Sequence, residues 1–65
     1  MKIKVFVRLM NDYGTNPHVR VMKHTDDAAI LVYEGDPRNM EEKIQGMRVN
    51  SFTVLGTGFV EIHTK

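Results

Sequence analysis

Apolar and polar side chains alternate along the first nine residues of the chain. The apolar residues Ile3, Val5, Val7 and Leu9 fall at every second position. Of the four residues at positions 2, 4, 6 and 8, three are basic. Successive side chains of a β-strand point to opposite faces of the sheet. The alternation therefore predicts a strand over residues 2–9 with one buried and one solvated face.

Two further strands are predicted to form an antiparallel meander with the first. Residues 18–24 alternate in the same way, and residues 29–34 are rich in side chains that favour strands. The segment 11–17 contains Asn, Asp, Gly and Pro, which are typical of turns, and it separates the first two strands. A tight turn at residues 25–27 joins the second strand to the third.

The length of this second turn determines which residues of the two strands face each other. A loop made of Asp26 and Asp27, or one of four residues, pairs Val21 with Val32 and Lys23 with Ile30. A three-residue loop would instead place a charged side chain opposite a valine. The first register keeps the apolar residues together and is the predicted one.

A short helix is predicted between residues 36 and 46. Asp36 can cap its first turn, Pro37 suits the first helical position, and Gly46 suits its end. Asn39 followed by Glu42 resembles a capping box and offers a second start. So short a helix must pack on the sheet to be stable. The apolar residues at helical spacing, predicted to be core, are Met40, Ile44 and Met47.

The C-terminal third is predicted to be a β-hairpin with a three-residue loop at Gly56-Thr57-Gly58. This loop sets Val54 opposite Val60 and Phe52 opposite Ile62, which places four apolar side chains on one face. The last glycine of the loop supplies the left-handed residue that such loops need. A two-residue loop would place a carboxylate opposite a phenylalanine, so the three-residue loop is favoured.

These elements predict a β-rich α+β fold in one domain that covers residues 1–65. The order is β-β-β-α-β-β, arranged as a curved antiparallel five-stranded sheet or a small open barrel with one short helix. A 65-residue chain buries only about 60% of its unfolded surface. The chain contains no cysteine, which excludes disulfides and thiolate metal sites as a source of extra stability.

Charge is unevenly distributed although the net charge is only +1. Residues 1–24 contain five Lys or Arg and one acidic residue, whereas residues 25–47 contain two basic and six acidic residues. This predicts either a dipolar surface that guides association or simply a solvated surface of mixed charge. No apolar run reaches the ~20 residues of a membrane span, and cytoplasmic residence is expected.

The outer face of the three predicted strands is the candidate binding surface. Its cations and two aromatic rings suit single-stranded nucleic acid, because cations follow the phosphates and rings stack on bases. Its apolar residues would also leave a large patch open on a monomer, which favours a protein contact. If the helix or the loop at residues 11–17 covered this face, the face would instead be core. The predicted site residues are Lys2, Lys4, Phe6, Arg8, Arg20, Met22, Leu31 and Tyr33.

We therefore predict a non-catalytic protein-interaction module, acting on a foreign partner or as a homodimer. Aromatic and arginine side chains would anchor such a contact, with Lys2 and Lys4 at its rim. The alternative is binding of single-stranded nucleic acid through the same face. The two differ in salt dependence, since phosphate contacts weaken steeply as the salt concentration rises.

Neither a metal site nor a catalytic site is predicted. His18 and His24 would lie about 20 Å apart on one strand face at ~3.3 Å per residue, so they cannot bind one ion. Ser51 is the only serine, and the hairpin places it opposite His63, but no third group completes a nucleophilic site. We expect no cofactor, no metal and no enzymatic activity.

Three neighbouring segments form a turn, a capped helix and a returning strand: Tyr33-Glu34-Gly35-Asp36, Asn39-Met40-Glu41-Glu42-Lys43-Ile44 and Met47-Arg48-Val49-Asn50-Ser51-Phe52. Together they resemble a segment of short proteins from phages and mobile elements of Gram-positive bacteria, most of which have no assigned function. The resemblance covers less than half of the chain. It implies a small accessory protein of a bacterial cytoplasm and transfers no catalytic or binding residue.

Overall fold

The protein is an α+β fold with an open four-stranded sheet. The computed structural model describes residues 1–12, 18–56 and 58–65. In that part of the chain the sheet order is β2-β1-β4-β3; β1 and β4 pair in parallel at its centre, and the outer pairs are antiparallel. The elements are helix α1 (Ile3–Asp12), strands β1 (His18–His24) and β2 (Ala29–Gly35), a 3-10 turn (Pro37–Asn39), the one-turn helix α2 (Glu42–Gln45), and strands β3 (Ser51–Gly56) and β4 (Phe59–Thr64).

The prediction of an N-terminal strand is wrong, because these residues form α1. Ile3, Phe6, Val7 and Met10 fall at positions i, i+3, i+4 and i+7, which is also the spacing of one helix face. Ile3 is fully buried, and the other three pack against the core. The helix covers the face of the sheet that carries the central valines and isoleucine, which a fifth strand at an edge would leave open. The predicted turn at residues 11–17 lies outside the described residues from residue 13 onward.

The predicted five-stranded meander is also corrected at the centre of the sheet. β1 and β2 form the expected antiparallel hairpin, but the other neighbour of β1 is β4, in parallel. Val19 lies beside Val60 and Val21 beside Ile62, and three of these four side chains are completely buried. This parallel pairing places the two strands with the most deeply buried side chains side by side under α1.

The predicted register of the first hairpin is confirmed at the turn and shifts beyond it. Lys23 pairs with Ile30 as expected, whereas Val21 pairs with Tyr33 and not with Val32. The register shift leaves Val32 unpaired, as a β-bulge. The bulge turns Val32 and Tyr33 so that both side chains can pack against the core. The Tyr33 hydroxyl donates a hydrogen bond to the carbonyl oxygen of Asp36.

The predicted helix between residues 36 and 46 is divided into two short pieces. Asp36 caps the 3-10 turn and Pro37 occupies its first position, as expected. The backbone at Met40 is extended and interrupts the helix before α2, which ends at Gly46. Met40 and Ile44 are nonetheless buried in the core, as their spacing predicted.

We expect the stability of the fold to fall in acid through Asp36. Its carboxylate accepts hydrogen bonds from the Arg38 guanidinium and from the Arg38 backbone N–H, which lower the pKa of Asp36 to about 2 from 3.8. A group with a lowered folded-state pKa stabilises the fold above its unfolded pKa, and this contribution disappears as the pH falls from about 4 to 2. In thermal melts, Asp36→Asn should be less stable than wild type at pH 6 and equal to it near pH 2. A difference in melting temperature between wild type and Asp36→Asn that does not change with pH would contradict this expectation. So would an equal, pH-dependent difference for Asp26→Asn in the exposed turn.

The pairing predicted for the C-terminal hairpin is confirmed, whereas its loop is shorter than predicted. Phe52 pairs with Ile62 and Val54 with Val60, as expected. The pairing then shifts, and Gly56, which was predicted to lie in the loop, belongs to β3 and pairs with Phe59. Gly58 has a φ of 73°, the left-handed conformation predicted for it. Residue 57 lies outside the described residues.

Candidate functional site

Helix α1 covers the centre of the sheet and leaves the edge strand β3 open. Phe52 and Val54 are on the helix-facing side of the sheet, since they pair directly with the buried Ile62 and Val60. Their side chains are nevertheless 53% and 64% exposed, and all six residues of β3 are exposed. Among the described residues, an open space therefore remains between the helix and the edge strand beside the contact of Phe6 with Phe52.

This space is an apolar groove of about 610 Å³ between α1 and β3. The Phe6 ring forms part of its wall and lies 5.0 Å, centroid to centroid, from the ring of Phe52. Within residues 1–10, 18–56 and 58–65, no charged side chain lines the groove. We call this space the apolar groove from here on. The residues that line it are Met1, Phe6, Leu9, Met10, Val49, Asn50, Ser51, Phe52, Val54 and Val60.

The two edges of the sheet differ in how they are protected against pairing with another chain. β2 has a bulge at Val32 and carries Glu34, whose carboxylate accepts a hydrogen bond from Arg20. Bulges and charges are common means of blocking an edge strand. β3 also has a shift in its pairing, between Val54 and Gly56, but its sequence SFTVLG contains no charged residue and no proline. The edge beside the apolar groove is thus the one suited to accept a further strand.

The face of the sheet that α1 does not cover carries a row of ion pairs. The guanidinium of Arg20 lies 2.8 Å from a Glu34 oxygen and 3.3 Å from a Glu61 oxygen. These two carboxylates raise the pKa of Arg20 above its ordinary value, Glu34 contributing most. The guanidinium also lies 5.3 Å from the centre of the Phe59 ring. Two acids around one arginine make this row net negative, which does not suit a phosphate backbone.

Two histidines and a glutamate form a hydrogen-bonded chain on the same open face. His24 Nε2 lies 2.7 Å from His63 Nδ1, and His63 Nε2 lies 3.0 Å from a Glu61 oxygen. When His63 donates to Glu61 through Nε2–H, its Nδ1 accepts the Nε2–H of His24. Among the described residues, no group of three His, Cys, Asp or Glu side chains could hold a metal ion. The hydrogen bond between His24 and His63 links strand β1 to strand β4.

The structure separates the predicted site residues into three places. Arg20 and Met22 of β1 and Leu31 of β2 lie on the open face. Tyr33 is half-buried on the opposite side of the sheet, against the core. The remaining four residues lie on or beside α1, because the strand that was to carry them is a helix: Lys2, Lys4, Phe6 and Arg8. The predicted continuous outer face of three strands is thus wrong, and Phe6 alone of the eight lines the apolar groove.

A shallow basic cavity lies on the side of α1 that faces the 3-10 turn. Its volume is about 350 Å³, and Lys4, Arg8 and Arg38 line it together with Gln45. Arg38 is already paired with Asp36, its guanidinium lying 2.6 Å from the carboxylate. Phe6 and Tyr33, the rings predicted to stack on bases, both pack against the core and do not line this cavity.

The groove residues that the sequence prediction missed lie on two separate segments of the chain. The sequence predicts Leu9 on the buried face of a strand. It predicts Phe52 and Val54 packed together on one face of the sheet. The i, i+3, i+4, i+7 spacing of α1 could have signalled the helix. Nothing in the sequence indicates that this helix stops short of β3, since that depends on where α1 packs.

Comparison with known proteins finds no match: no family model, no curated protein and no solved structure is significantly similar to this chain. The resemblance to phage and mobile-element proteins stays an expectation. No helix in the described part of the chain is long and apolar enough to cross a membrane.

Proposed function

We propose that the protein is a small non-catalytic protein-interaction module. It binds an extended, uncharged and largely apolar segment of a partner protein by adding that segment as a strand beside β3. Alternate side chains of the added strand enter the apolar groove between β3 and α1. This mode of binding uses main-chain hydrogen bonds for affinity and a groove for side-chain specificity.

The observation that supports this proposal is the exposure of apolar side chains along one continuous surface. Leu9 is 45% exposed, and Phe52 and Val54 are more exposed still, although all three belong to the apolar groove. Contiguous apolar surface of this kind, next to an unprotected edge strand, typically marks a protein contact. The uncharged lining favours an uncharged segment, because a buried charge without a partner is costly.

The proposal predicts that peptides bind through Leu9 and that binding is insensitive to salt. Random twelve-residue peptides displayed on phage are selected on the immobilised protein, and the enriched peptides are synthesised for fluorescence anisotropy. We expect alternating apolar residues without charges at those positions, and similar affinity at 50 and 500 mM salt. Leu9→Gln should weaken binding at least tenfold, because it places an amide in the apolar groove.

The matched control is Leu31→Gln, the same change at a similarly exposed leucine on the open face, which should alter affinity less than twofold. Failure of a monomeric chain to enrich any peptide, or a loss with Leu31→Gln in place of Leu9→Gln, would contradict the proposal. Binding of nucleic acid is tested beside it with a mixed-sequence single-stranded DNA of twenty nucleotides. Binding at 50 mM salt that is lost at 500 mM and in a Lys4→Gln/Arg8→Gln variant would instead favour the basic cavity.

A further inference from the structure

We infer that the segment added to β3 is the β3 strand of a second copy of this chain. This inference rests on the proposed function and specifies its partner. Two copies related by a two-fold axis would join their sheets edge to edge into one eight-stranded sheet, with both α1 helices on the same face. Such an arrangement is isologous, since each copy contributes the same surface.

The sequence of β3 is complementary to itself in the antiparallel direction. When two β3 strands pair about Thr53, Phe52 of each copy lies opposite Val54 of the other, and Thr53 lies opposite Thr53. Aromatic side chains opposite β-branched ones, and threonine opposite threonine, are favourable cross-strand pairs. No like charges meet, because Ser51–Gly56 contains none. Antiparallel pairing also keeps directly opposed side chains on the same face of the sheet.

This pairing would fill the apolar groove of each copy with the other copy's side chains. Phe52 and Val54 lie on the helix-facing side, so the two grooves become one apolar space beneath the two helices. A second copy thus supplies a strand and an uncharged apolar wall together. The edge strand β2 carries the charged Glu34, paired with Arg20, which favours the uncharged β3 over β2 as the contact.

The exposed apolar surface that a dimer would cover is concentrated beside β3. A standard interface buries about 800 Å² on each partner, somewhat under one fifth of the 4501 Å² surface of this chain. Of the seven exposed large hydrophobic residues in the described part of the chain, five lie at the N-terminus, in α1 or in β3, namely Met1, Leu9, Phe52, Val54 and Leu55. A chain with so few fully buried side chains gains stability when a second copy covers its exposed hydrophobic residues.

The inference is tested by the mass of the protein in solution. Sedimentation equilibrium of the wild-type chain between 5 µM and 0.5 mM should show a monomer–dimer equilibrium that changes little between 50 and 500 mM salt. Thr53→Lys should raise the dissociation constant at least tenfold, because the two lysines meet at the two-fold axis. In the monomer Thr53 is exposed and pairs with Glu61, so an introduced lysine lies beside a carboxylate and the fold is expected to persist.

Two control variants separate the strand contact from other causes. Thr53→Val keeps a β-branched residue at the axis and should dimerise as wild type does. Ile30→Lys places the same charge on the other edge, at a residue that is 49% exposed, and should leave the equilibrium unchanged. Circular dichroism melts establish that Thr53→Lys is folded; if it is not, Phe52→Ser, which leaves the axis uncharged, replaces it and should weaken the dimer likewise.

A wild-type chain that is monomeric up to 0.5 mM would overturn the inference, as would a dimer that Ile30→Lys disrupts and Thr53→Lys does not. Peptides that bind in a Leu9-dependent way to a monomeric chain would leave the proposed function standing and remove only the second copy as partner. Absence of both peptide binding and dimerisation would remove the proposed function as well.

Discussion

Replacing Ile62 by alanine is expected to leave the chain largely unfolded at 25 °C. Ile62 is completely buried in β4, between Val21 of β1 and Phe52 of β3. Truncating a buried isoleucine removes its transfer free energy and leaves a cavity, which together cost about 2–5 kcal/mol. The core of a domain below about 70 residues rarely supplies more than about 3–5 kcal/mol. The loss is therefore comparable to the whole free energy of unfolding.

The measurement is urea denaturation followed by circular dichroism, with Ile30→Ala as the matched control. Ile30 carries the same side chain on the edge strand β2 but is 49% exposed, so its truncation creates no enclosed cavity. We expect a shift of at most about 0.5 kcal/mol for this variant, as is usual for surface substitutions. Equal losses at the two positions would show that Ile62 is not at the centre of the core.

Replacing Arg8 by proline is expected to have the second largest effect. Arg8 lies in the middle of α1 with its side chain exposed. Proline there removes a helical hydrogen bond and its ring collides with the carbonyl of Lys4, at a cost of about 3 kcal/mol or more. Because α1 provides the buried Ile3 and the side chains that pack beside it, disrupting the helix also uncovers the sheet.

The control is Arg8→Ala, which keeps the helix and removes no buried group. Alanine is the best helix former, so this variant should be as stable as wild type to within about 0.5 kcal/mol. Both variants are compared by urea denaturation and by the helical signal in circular dichroism. If residues 2–9 formed a strand at the edge of the sheet, proline at position 8 would be tolerated much better. A small effect of proline would therefore contradict the helix.

The features that were predicted correctly depend on chemistry within a few residues. The C-terminal hairpin is one, because the left-handed Gly58 and the partners of Phe52 and Val54 follow from the few residues around its turn. The cap at Asp36 with Pro37 after it is another, since a side chain and a backbone N–H two residues apart are sufficient. The turn between β1 and β2 and the pairing of Lys23 with Ile30 belong to the same class.

The candidate site was predicted less well because it depends on one ambiguous segment. Ile3, Val7 and their neighbours satisfy the period of a strand and that of a helix at the same time. Their β-branched side chains favour a strand, and burial against the sheet outweighs that preference. Once residues 2–9 are helical, Lys4 and Arg8 leave the sheet, and the predicted basic and aromatic face no longer exists.

The sequence by itself determined the two hairpins, the cap at Asp36 and part of the core, because each follows from neighbours in the chain. Only the tertiary structure decided that β1 lies beside β4. The contact between Arg20 of β1 and Glu61 of β4 joins residues that are 41 positions apart in the chain. The tertiary structure also decided that α1 packs on the centre of the sheet and stops short of β3. Such long-range pairings are selected by the total apolar surface that the whole chain buries, which no local pattern specifies. The apolar groove arises from that arrangement, and so does the unprotected edge through which we propose that the protein binds.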